Sequence, residues 1–461
     1  MDFAQNTFPG GPAGSSMPED RVAVETLLRW ARSHQINQAG SLIFILAPNM
    51  SGLSEQLRAG DNYICKIRVP KPIEDERSLY WSSAQKQGIA KIEDGLTPEV
   101  LGRMTSGLTL RHLDEMQRIC RVRQEIITMA TIRDRKTRLL MDEFGDRLVI
   151  KQPKHGFECF GGKQYVKRAL LEIQDNIEKG ISRRVPLGIL ASGPPGTGKS
   201  WMFECWAYEC GYNFVEIANP RTMWVGMSEE LFDEILATLD DIGPVIVIED
   251  EADQSEVSRD SPQGDTGVSN RLRQKKFQFC SDPKRRGRVI WVRISNRDDL
   301  LDAAYLRKGR SDLVIPFGMP DVAENSATFE ALIRRDNVLT HLTDFTPFAE
   351  LAKEHIYFTG ADVEWAVHQA DRLAGRAGVA DLRHEHLIQA VKSWEMKMDP
   401  AEIDRQTILS LRGSDIDVRP DNWEEQLIGA RERMRARQKR AGTGYSNGSR
   451  PSVPNGIPEL N

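Results

Sequence analysis

Short apolar runs dominate the middle of the chain. Four runs of strand length alternate there with segments of helical periodicity. Strands that are apolar on both faces and separated by helices predict a parallel sheet covered by helices on both sides. The predicted strands are 187–191, 214–217, 245–248 and 289–294, and the helices predicted after Pro320 are 325–335, 348–354, 361–374, 384–396 and 422–437.

The first 150 residues are patterned differently. Residues 21–34 have helical periodicity, and 41–46 and 64–69 have the pattern of short strands. Residues 97–145 are mainly helical and highly charged. A stretch with one proline and three glycines, 151–162, separates them from the strand-rich part. The pattern predicts an N-terminal region of mixed helix and strand.

Composition excludes several classes of protein. The 461 residues carry a net charge of −5, so no basic excess points to nucleic acid. The longest apolar run, 42–47, is far shorter than the ~20 residues that span a bilayer, and no signal peptide is visible. Six cysteines without a C-x-x-C pair fit reduced thiols. We expect a cytoplasmic protein of two or three domains, without a membrane or nucleic-acid partner.

Residues 193–200 read GPPGTGKS and follow the first predicted strand of the sheet. This is the P-loop pattern G-x-x-x-x-G-K-[ST]. Its glycines let backbone N–H groups close around phosphate oxygens, and the next helix adds its positive N-terminal end. Lys199 is expected to reach the β- and γ-phosphates, and Ser200 to ligate Mg²⁺. The nucleotide contacts predicted for ATP are Gly193, Pro195, Gly196, Thr197, Gly198, Lys199 and Ser200.

Two acidic residues of the segment VIVIEDEAD are candidates for the reaction itself. The apolar strand delivers Asp250 to the edge of the sheet beside the P-loop, where it is expected to hold Mg²⁺ through water. Glu251 is placed to polarise the attacking water as general base. Acidic clusters are usually solvated surface, but one at the tip of an apolar strand is not. Glu249 and Asp253 are expected to support the site residues without contacting the nucleotide, or to be structural.

The P-loop, the acidic strand end and the segments after them in the chain make residues 156–396 resemble the AAA family of the AAA+ ATPases. Asn296 ends the strand VIWVRIS, at the place of the family's sensor-1 residue, which positions the water. The segment LLDAAYLRKGRSD resembles the second region of homology, whose two arginines reach the ATP of the neighbouring subunit. Arg307 and Arg310 occupy those places, and guanidinium groups suit the role because they stay charged and hold a planar fork. Ordinary surface ion pairs are the alternative for both.

Two segments of the resemblance concern the adenine. The sequence FTGAD is similar to the start of the family's lid helix, which implies that Gly360 and Ala361 lie close to the base. That position carries no sensor-2 arginine. Residues 160–162 resemble the adenine-side segment before the P-loop, so Gly162 is included among the nucleotide contacts. Cys159 replaces the acid usually found there.

The segment MWVGMSEEL resembles the family's first pore loop, which grips a polypeptide in the central channel of the ring. Trp224 and Val225 are the residues expected to contact that substrate. An aromatic residue at the junction of a loop and a helix is also often plain core, and that alternative stays open.

The N-terminal region looks like the second half of another such module. The segment at 41–49 parallels 288–296, and the segment at 104–113 parallels 357–366. The first copy has neither a P-loop nor an acidic strand tip, so residues 21–135 are not expected to bind ATP. Chance similarity of short strands is the alternative. Half a sheet leaves an exposed edge, so we expect this region to pack on the ATPase domain or a partner.

Together these features predict an α/β fold: a P-loop αβα sandwich with a parallel sheet and a helical lid, preceded by a mixed α/β degenerate AAA-like region. The basic run 431–440 is expected to be a solvated helix face. The predicted divisions are 1–20 (disordered), 21–135 (half module), 136–155 (linker), 156–320 (P-loop domain), 321–400 (lid), 401–440 (C-terminal helical segment) and 441–461 (disordered tail).

The resemblance implies a homo-hexameric ATPase with active sites shared between subunits, acting on a protein substrate or adaptor that it remodels, unfolds or disassembles. The alternative is a nucleotide-gated assembly scaffold or chaperone that does not thread its substrate. Residues 250–253 spell DEAD, but RNA helicases of that type need a second RecA-like domain, and here a helical region follows.

Overall fold

The fold comes from a computed structural model that describes most of the chain. The chain folds as two compact units, residues 1–70 and 71–461. The predicted disordered ends lie outside the described residues, except that 18–20 and 441–443 are helical. The described residues are 18–40, 42–47, 53–58, 64–67, 69–88, 91–144, 148–217, 229–252, 266–301 and 304–443.

The described residues of the first unit include the helices α1 (Pro18–Arg32), α2 (His34–Gln38) and α3 (Glu55–Arg58). Val24 and Leu27 of α1 pack with Leu53 and Leu57 in a small core. The helix predicted over 21–34 is therefore confirmed.

The two strands predicted in this unit are wrong for the residues described. Residues 42–47 and 64–67 have no regular secondary structure. A strand is stable only where a neighbour pairs its N–H and C=O groups and one face is buried. Here Leu42 and Phe44 are 80% and 66% exposed, and Ile45 and Ala47 pack against the small core although no described strand pairs with the run.

The second unit is built on a six-stranded sheet with the order β1-β3-β4-β5-β2-β6. Strand β1 is antiparallel to β3, and the other described pairs are parallel. Strands β2 to β5 confirm the four predicted strands. Strands β1 and β6 were not predicted, because three or four residues are too few to show a hydrophobic pattern. The strands are β1 (Val149–Lys151), β2 (Gly188–Ser192), β3 (Asn213–Ile217), β4 (Val245–Glu249), β5 (Val289–Ser295) and β6 (Leu313–Pro316).

Helices cover both faces of this sheet, as the apolar strands predict. Along β4, Val245 and Val247 face one core, while Ile246 and Ile248 face the other. Helices α8 (Gln164–Glu178) and α9 (Lys199–Cys210) cover the face of Ile246 and Ile248, and the other helices given below cover the face of Val245 and Val247. The helices are α4 (Glu74–Lys86), α5 (Pro98–Met104), α6 (Leu110–Arg123), α7 (Met129–Phe144), α8 (Gln164–Glu178), α9 (Lys199–Cys210), α10 (Glu229–Ile242) and α11 (Thr266–Cys280).

Part of the predicted half module and of the predicted linker belongs to this second unit. The linker range 136–155 contains the end of α7 and all of β1. Leu140, Leu148 and Ile150 are buried in the same core as the α4 residue Trp81. Burial of these apolar side chains makes the range part of the folded unit, although the sequence predicted a linker there.

The lid is a separate helical layer with its own core. Phe329, Phe348, Val367 and Leu387, one from each of four helices, are fully buried in that core. The helices are α12 (Val322–Arg335), α13 (Thr346–Lys353), α14 (Gly360–Arg376) and α15 (His384–Lys392).

Two C-terminal helices, α16 (Pro400–Gly413) and α17 (Trp423–Thr443), complete the unit. Both Arg433 and Arg437 donate to the buried carboxylate of Asp404, at 2.7 and 2.6 Å. The basic run is therefore not only a solvated face, because these two arginines hold α17 against α16. Among the described helices, none is both long and apolar enough to cross a membrane.

Candidate functional site

The P-loop connects β2 to α9 and needs its glycines for two reasons. Gly193, Gly196 and Gly198 have φ values of 150°, 77° and 86°, which residues with a side chain rarely adopt. Space is also restricted, since a Cβ on Gly193 would lie 2.2 Å from the carbonyl oxygen of Phe317. A Cβ on Gly198 would lie 3.0 Å from the Phe160 ring. Both backbone conformation and packing therefore explain the motif's glycines.

Lys199 joins the P-loop to the end of the neighbouring strand. Its Nζ donates to the carbonyl oxygens of Gly193 and Pro194 and to Asn296 Oδ1, each at 2.8 Å. Strand β5 lies beside β2, with Ser192 in register with Ser295. Because both strands are parallel, the residues that follow them meet at one edge of the sheet. The structure thus brings together Lys199 and Asn296, which are 97 positions apart.

Ser200 and Asp250 meet at the same edge. Ser200 Oγ donates to Asp250 Oδ2 at 2.8 Å, and Asp250 Oδ1 accepts from the backbone N–H of Glu251 at 2.8 Å. Glu251 has a φ of 51°, a left-handed conformation that is uncommon outside glycine and clusters at functional sites. Its side chain is exposed and lines the cavity in front of the P-loop. The turn after β4 therefore separates the two acids into different positions.

The lid contacts the P-loop through the first residues of α14. The backbone N–H of Ala361 donates to the Gly196 carbonyl at 3.1 Å. A Cβ on Gly196 would lie 2.5 Å from Thr359 Oγ1. Thr359 caps α14 reciprocally with Asp362, which accepts from the backbone N–H and from the hydroxyl of Thr359. Gly360 and Ala361 consequently line the cavity.

Residues 160–162 pass beneath α12 of the lid. A Cβ on Gly161 would lie 2.2 Å from the backbone nitrogen of Thr328, so only glycine fits. Gly162 has a φ of 73°, and a Cβ there would lie 2.8 Å from Glu324 Cβ. Gly161 lines the cavity, whereas Gly162 is not among the lining residues and supports the segment through its backbone.

Cys159 occupies the position at which the family pattern has an acidic residue, and its thiol does not supply the negative charge of that residue. Its Sγ lies 3.6 Å from His155 Nδ1 and 3.8 Å from Glu158 Oε1. Burial, together with the nearby Glu158 carboxylate, raises the pKa of the Cys159 thiol above its usual value. The side chain is therefore a neutral thiol near pH 7, and it offers the base side of the cavity no anion.

Most of the predicted site residues line one cavity of about 750 Å³, a size common for small-molecule sites, whereas Gly193 and Gly162 do not. The lining residues that were not predicted include Trp201, Arg335 and Glu364. Arg335 donates to Glu364 at 2.6 Å and lies 5.7 Å from the centre of the Trp201 ring. No sequence motif marks them, because they belong to three different helices that only the fold brings together.

The two candidate arginines differ in their surroundings. Arg307 is exposed, and the structure assigns its guanidinium no hydrogen bond or ion pair with a described residue. The Arg310 guanidinium packs 4.0 Å from the centre of the Phe277 ring and donates to the Ala304 carbonyl at 2.9 Å. Neither arginine lines the cavity of its own subunit.

The predicted pore-loop residues, Trp224 and Val225, lie outside the described residues. Their position therefore stays a prediction.

The fold and the site define the class: a P-loop nucleotide-binding αβα domain with a helical lid. Residues 189–319 match the model of the ATPase family associated with various cellular activities (AAA). Residues 1–70 match the N-terminal Rossmann-like domain of AAA+ chaperones, and residues 75–145 match their second helical domain. These three matches do not overlap. The match over residues 1–70 has the same bounds as the first structural unit.

Curated relatives agree with the family models. The chain is 28% identical over 237 residues to a cell division cycle protein 48 homolog of Archaeoglobus fulgidus, covering 50% of this chain and 32% of the relative. It is 31% identical over 232 residues to protein SAV of Sulfolobus acidocaldarius, covering 48% and 29%. This chain spans about a third of the length of either relative. Residues 189–319 are thus similar to an AAA ATPase domain, and the two segments before them are similar to AAA+ chaperone domains.

Proposed function

We propose that the chain hydrolyses ATP as a subunit of a homo-hexameric ring and uses the energy to remodel, unfold or disassemble a protein substrate. One observation carries the proposal. Lys199, Ser200, Asp250 and Asn296 converge within hydrogen-bond distance at one edge of the sheet. Glu251 faces the same cavity. The match of residues 189–319 to the AAA ATPase family supports the proposal that these groups form an ATPase site.

The residues at the sheet edge fit Mg²⁺. Ser200 Oγ and Asp250 Oδ2 are hard oxygen donors 2.8 Å apart, and Mg²⁺ prefers oxygen ligands and keeps several waters. Ser200 would ligate the ion directly and Asp250 through water. Bound there, Mg²⁺ neutralises negative charge on the phosphate oxygens.

The remaining groups divide the work of hydrolysis. The Lys199 ammonium, held at the mouth of the P-loop, would contact the β- and γ-phosphates. The exposed carboxylate of Glu251 would accept the proton of the attacking water. Asn296 Oδ1 accepts from Lys199, so its amide group is fixed beside the phosphates and would orient that water. Each role follows from the position of a side chain around one cavity.

The site would be completed by the neighbouring subunit. Arg307 is exposed and lies away from the cavity of its own subunit, as a group acting on a neighbour must. Guanidinium groups that contact transferring phosphates contribute about 10³–10⁵-fold to the rate. Arg310 is held against Phe277 and would support the segment or join Arg307 after a rearrangement.

The test is ATPase activity per subunit measured against protein concentration. We expect activity to rise with concentration for the native chain. Arg307→Ala should lower it roughly 10³-fold or more, because the site lacks its charge from the next subunit. Arg372→Ala, an equally exposed arginine of the lid, is the matched control and should change nothing. Activity that is independent of concentration and unaffected by Arg307→Ala would refute the shared site and favour a monomeric nucleotide switch.

Substrate threading needs a separate experiment because it depends on the predicted pore loop. Trp224→Ala should keep the basal ATPase rate but abolish stimulation by an unfolded protein such as casein. Val225→Ala should reduce stimulation less, since its side chain offers less contact area. If both variants are stimulated like the native chain, hydrolysis without threading, the scaffold alternative, is the better description.

A further inference from the structure

A second group of charged side chains lies buried behind the phosphate site. Glu249, the last residue of β4, and Arg293 of β5 are both fully buried, and Lys276 of α11 is 4% exposed. Lys276 Nζ donates to Glu249 Oε1 at 2.5 Å, and Arg293 Nε lies 3.6 Å from Glu249 Oε2. We call these three residues the buried ion cluster. Glu249 directly precedes Asp250, so the cluster adjoins the catalytic strand tip.

The carboxylate of this cluster is kept ionised by its neighbours. Burial alone would raise the pKa of Glu249, but the charges of Lys276 and Arg293 lower it below its usual value. Hydrogen bonds from Lys276 and from Trp291 Nε1, the latter at 2.9 Å, act in the same direction. Buried ion pairs often contribute little net stability, because desolvation offsets the attraction. Stability by itself is therefore a weak reason for three charges inside this sheet.

The cluster reaches the segment that carries the candidate arginines. Arg293 Nη1 donates to the backbone carbonyl of Arg310 at 2.7 Å. Lys276 Nζ donates to the Tyr305 hydroxyl at 3.2 Å, and its ammonium lies 5.1 Å from the centre of that ring. The Arg293 guanidinium lies 4.9 Å from the same ring. Two of the three charged groups thus contact residues 304–310.

These contacts stand on both sides of Arg307. Residues 304–310 form turns and bends, in which the Arg307 carbonyl accepts from the backbone N–H groups of Arg310 and Ser311, at 3.0 and 3.2 Å. Tyr305, 3% exposed, anchors the segment two positions before Arg307, and the Arg310 carbonyl anchors it three positions after. A short turn held at two flanking points has few conformations, so the position of Arg307 depends on the cluster.

We propose that Glu249, Lys276 and Arg293 are positioning residues that set Arg307 for the ATP site of the neighbouring subunit. This rests on the proposed function, in which Arg307 acts between subunits. Glu249 contacts neither nucleotide nor water in this scheme. It holds both cations, and through them residues 304–310, in register with the end of β4.

Rings mixed from two variants test the proposal, because each shared site would take residues from two subunits. Variants that damage different sides of the site can then complement each other. Lys199→Ala removes the phosphate contact of a subunit's own site and leaves its Arg307 intact. Arg307→Ala does the reverse. If sites are shared, mixing these two inactive variants restores part of the activity. If it does not, the proposed function fails, whatever Glu249 does.

Glu249→Gln is then assigned to one of the two sides of the shared site. Alone, it should bind ATP within about twofold of the native affinity, measured with a fluorescent ATP analogue, and hydrolyse it at least about tenfold more slowly. Mixing with Lys199→Ala should restore activity, whereas mixing with Arg307→Ala should not. Restoration by Arg307→Ala, restoration by neither variant, or native activity of Glu249→Gln alone would each overturn the proposal.

A second variant covers the case that Glu249→Gln does not fold. Tyr305→Phe keeps the ring over which both cations pack and removes only the hydroxyl that accepts from Lys276. It should lose activity by a smaller factor, keep its affinity for the ATP analogue, and again be restored only by Lys199→Ala. Native activity of Tyr305→Phe in a protein whose Glu249→Gln variant is unfolded would also contradict the proposal.

Discussion

Glu249 and Asp250 are consecutive carboxylates at the end of one strand, and their surroundings are opposite. Asp250 is half-buried at the edge of the sheet, where its partners are the Ser200 hydroxyl and a backbone N–H. Glu249 is fully buried, and its partners are the two cations of the buried ion cluster and Trp291. The side-chain alternation of a strand sends the two groups into different environments.

This difference separates chemistry from architecture. The groups around Asp250 are neutral or exposed enough to exchange partners, which a site for phosphate and Mg²⁺ requires. The carboxylate of Glu249 has cationic partners inside the core, so its loss leaves charges that water cannot reach. Sequence proximity therefore predicts little about the role of an acidic residue, whereas burial and partners predict a great deal.

The largest effect is expected from the third acid of this segment. Glu251→Gln removes the group that accepts the proton of the attacking water and should lower the ATPase rate about 10²–10⁴-fold. Binding of ATP should remain, because Lys199 and Ser200 are unchanged. The rate is measured by phosphate release, with Glu330→Gln, an exposed acid of the lid helix α12, as control. An unchanged rate would show that Glu251 is not the general base.

The two consecutive carboxylates should differ in stability when each is removed. Glu249→Ala leaves Lys276 and Arg293 buried without a counter-ion and should lower the free energy of unfolding by about 3–5 kcal/mol. Asp250→Ala removes two hydrogen bonds from partly exposed donors, the Ser200 hydroxyl and the Glu251 N–H, and should cost about 1–2 kcal/mol. Urea unfolding of both variants checks this contrast. Equal losses would mean that burial does not separate the two acids.

A buried lysine without a carboxylate partner extends the comparison to pH. Lys136 of α7 donates to Ser106 Oγ at 3.3 Å and to the Gly211 carbonyl at 3.2 Å, and no described carboxylate pairs with it. Burial lowers the pKa of Lys136 to about 7. Between this value and the ordinary pKa of lysine, 10.5, the unfolded chain binds the extra proton, so stability rises with pH in that window.

This pH dependence should disappear with the lysine. From pH 7 to 9, the native free energy of unfolding should rise by about 1.4 kcal/mol per pH unit through Lys136. The Lys136→Met variant should lose that slope. A control variant, Lys392→Met, which changes an exposed lysine at the end of α15, should keep the slope of the native chain. Parallel urea titrations at three pH values measure the difference. A slope that survives in Lys136→Met would mean that a group other than Lys136 causes it.

Much of the candidate site could be predicted because its groups occur in motifs of consecutive residues. The P-loop, Asp250, Glu251 and Asn296 each follow an apolar strand, and parallel strands place such residues at one edge. Trp201, Arg335 and Glu364 could not be found this way, since each is an ordinary residue of a helix. The contact of Cys159 with His155 and Glu158 likewise depends on a turn that the pattern does not specify.

The fold shows the same division. Four core strands were predicted from apolar runs long enough to show a pattern, but β1 and β6 are too short. The runs at 42–47 and 64–67 have the pattern of strands without forming any in the residues described. A run of apolar residues becomes a strand only where a neighbouring strand accepts its hydrogen bonds, and that depends on distant parts of the chain.

The sequence by itself determined the class of fold, the P-loop, and the order of acidic and polar residues after the strands. These are local features, set by hydrophobic periodicity and by the steric demands of glycine. Only the tertiary structure decided that α4–α7 cover the sheet, that Arg307 is exposed while Arg310 is packed, and that Glu249 is paired with two buried cations. The physical reason is that burial and ion pairing are properties of residues far apart in the chain, and folding alone brings them together.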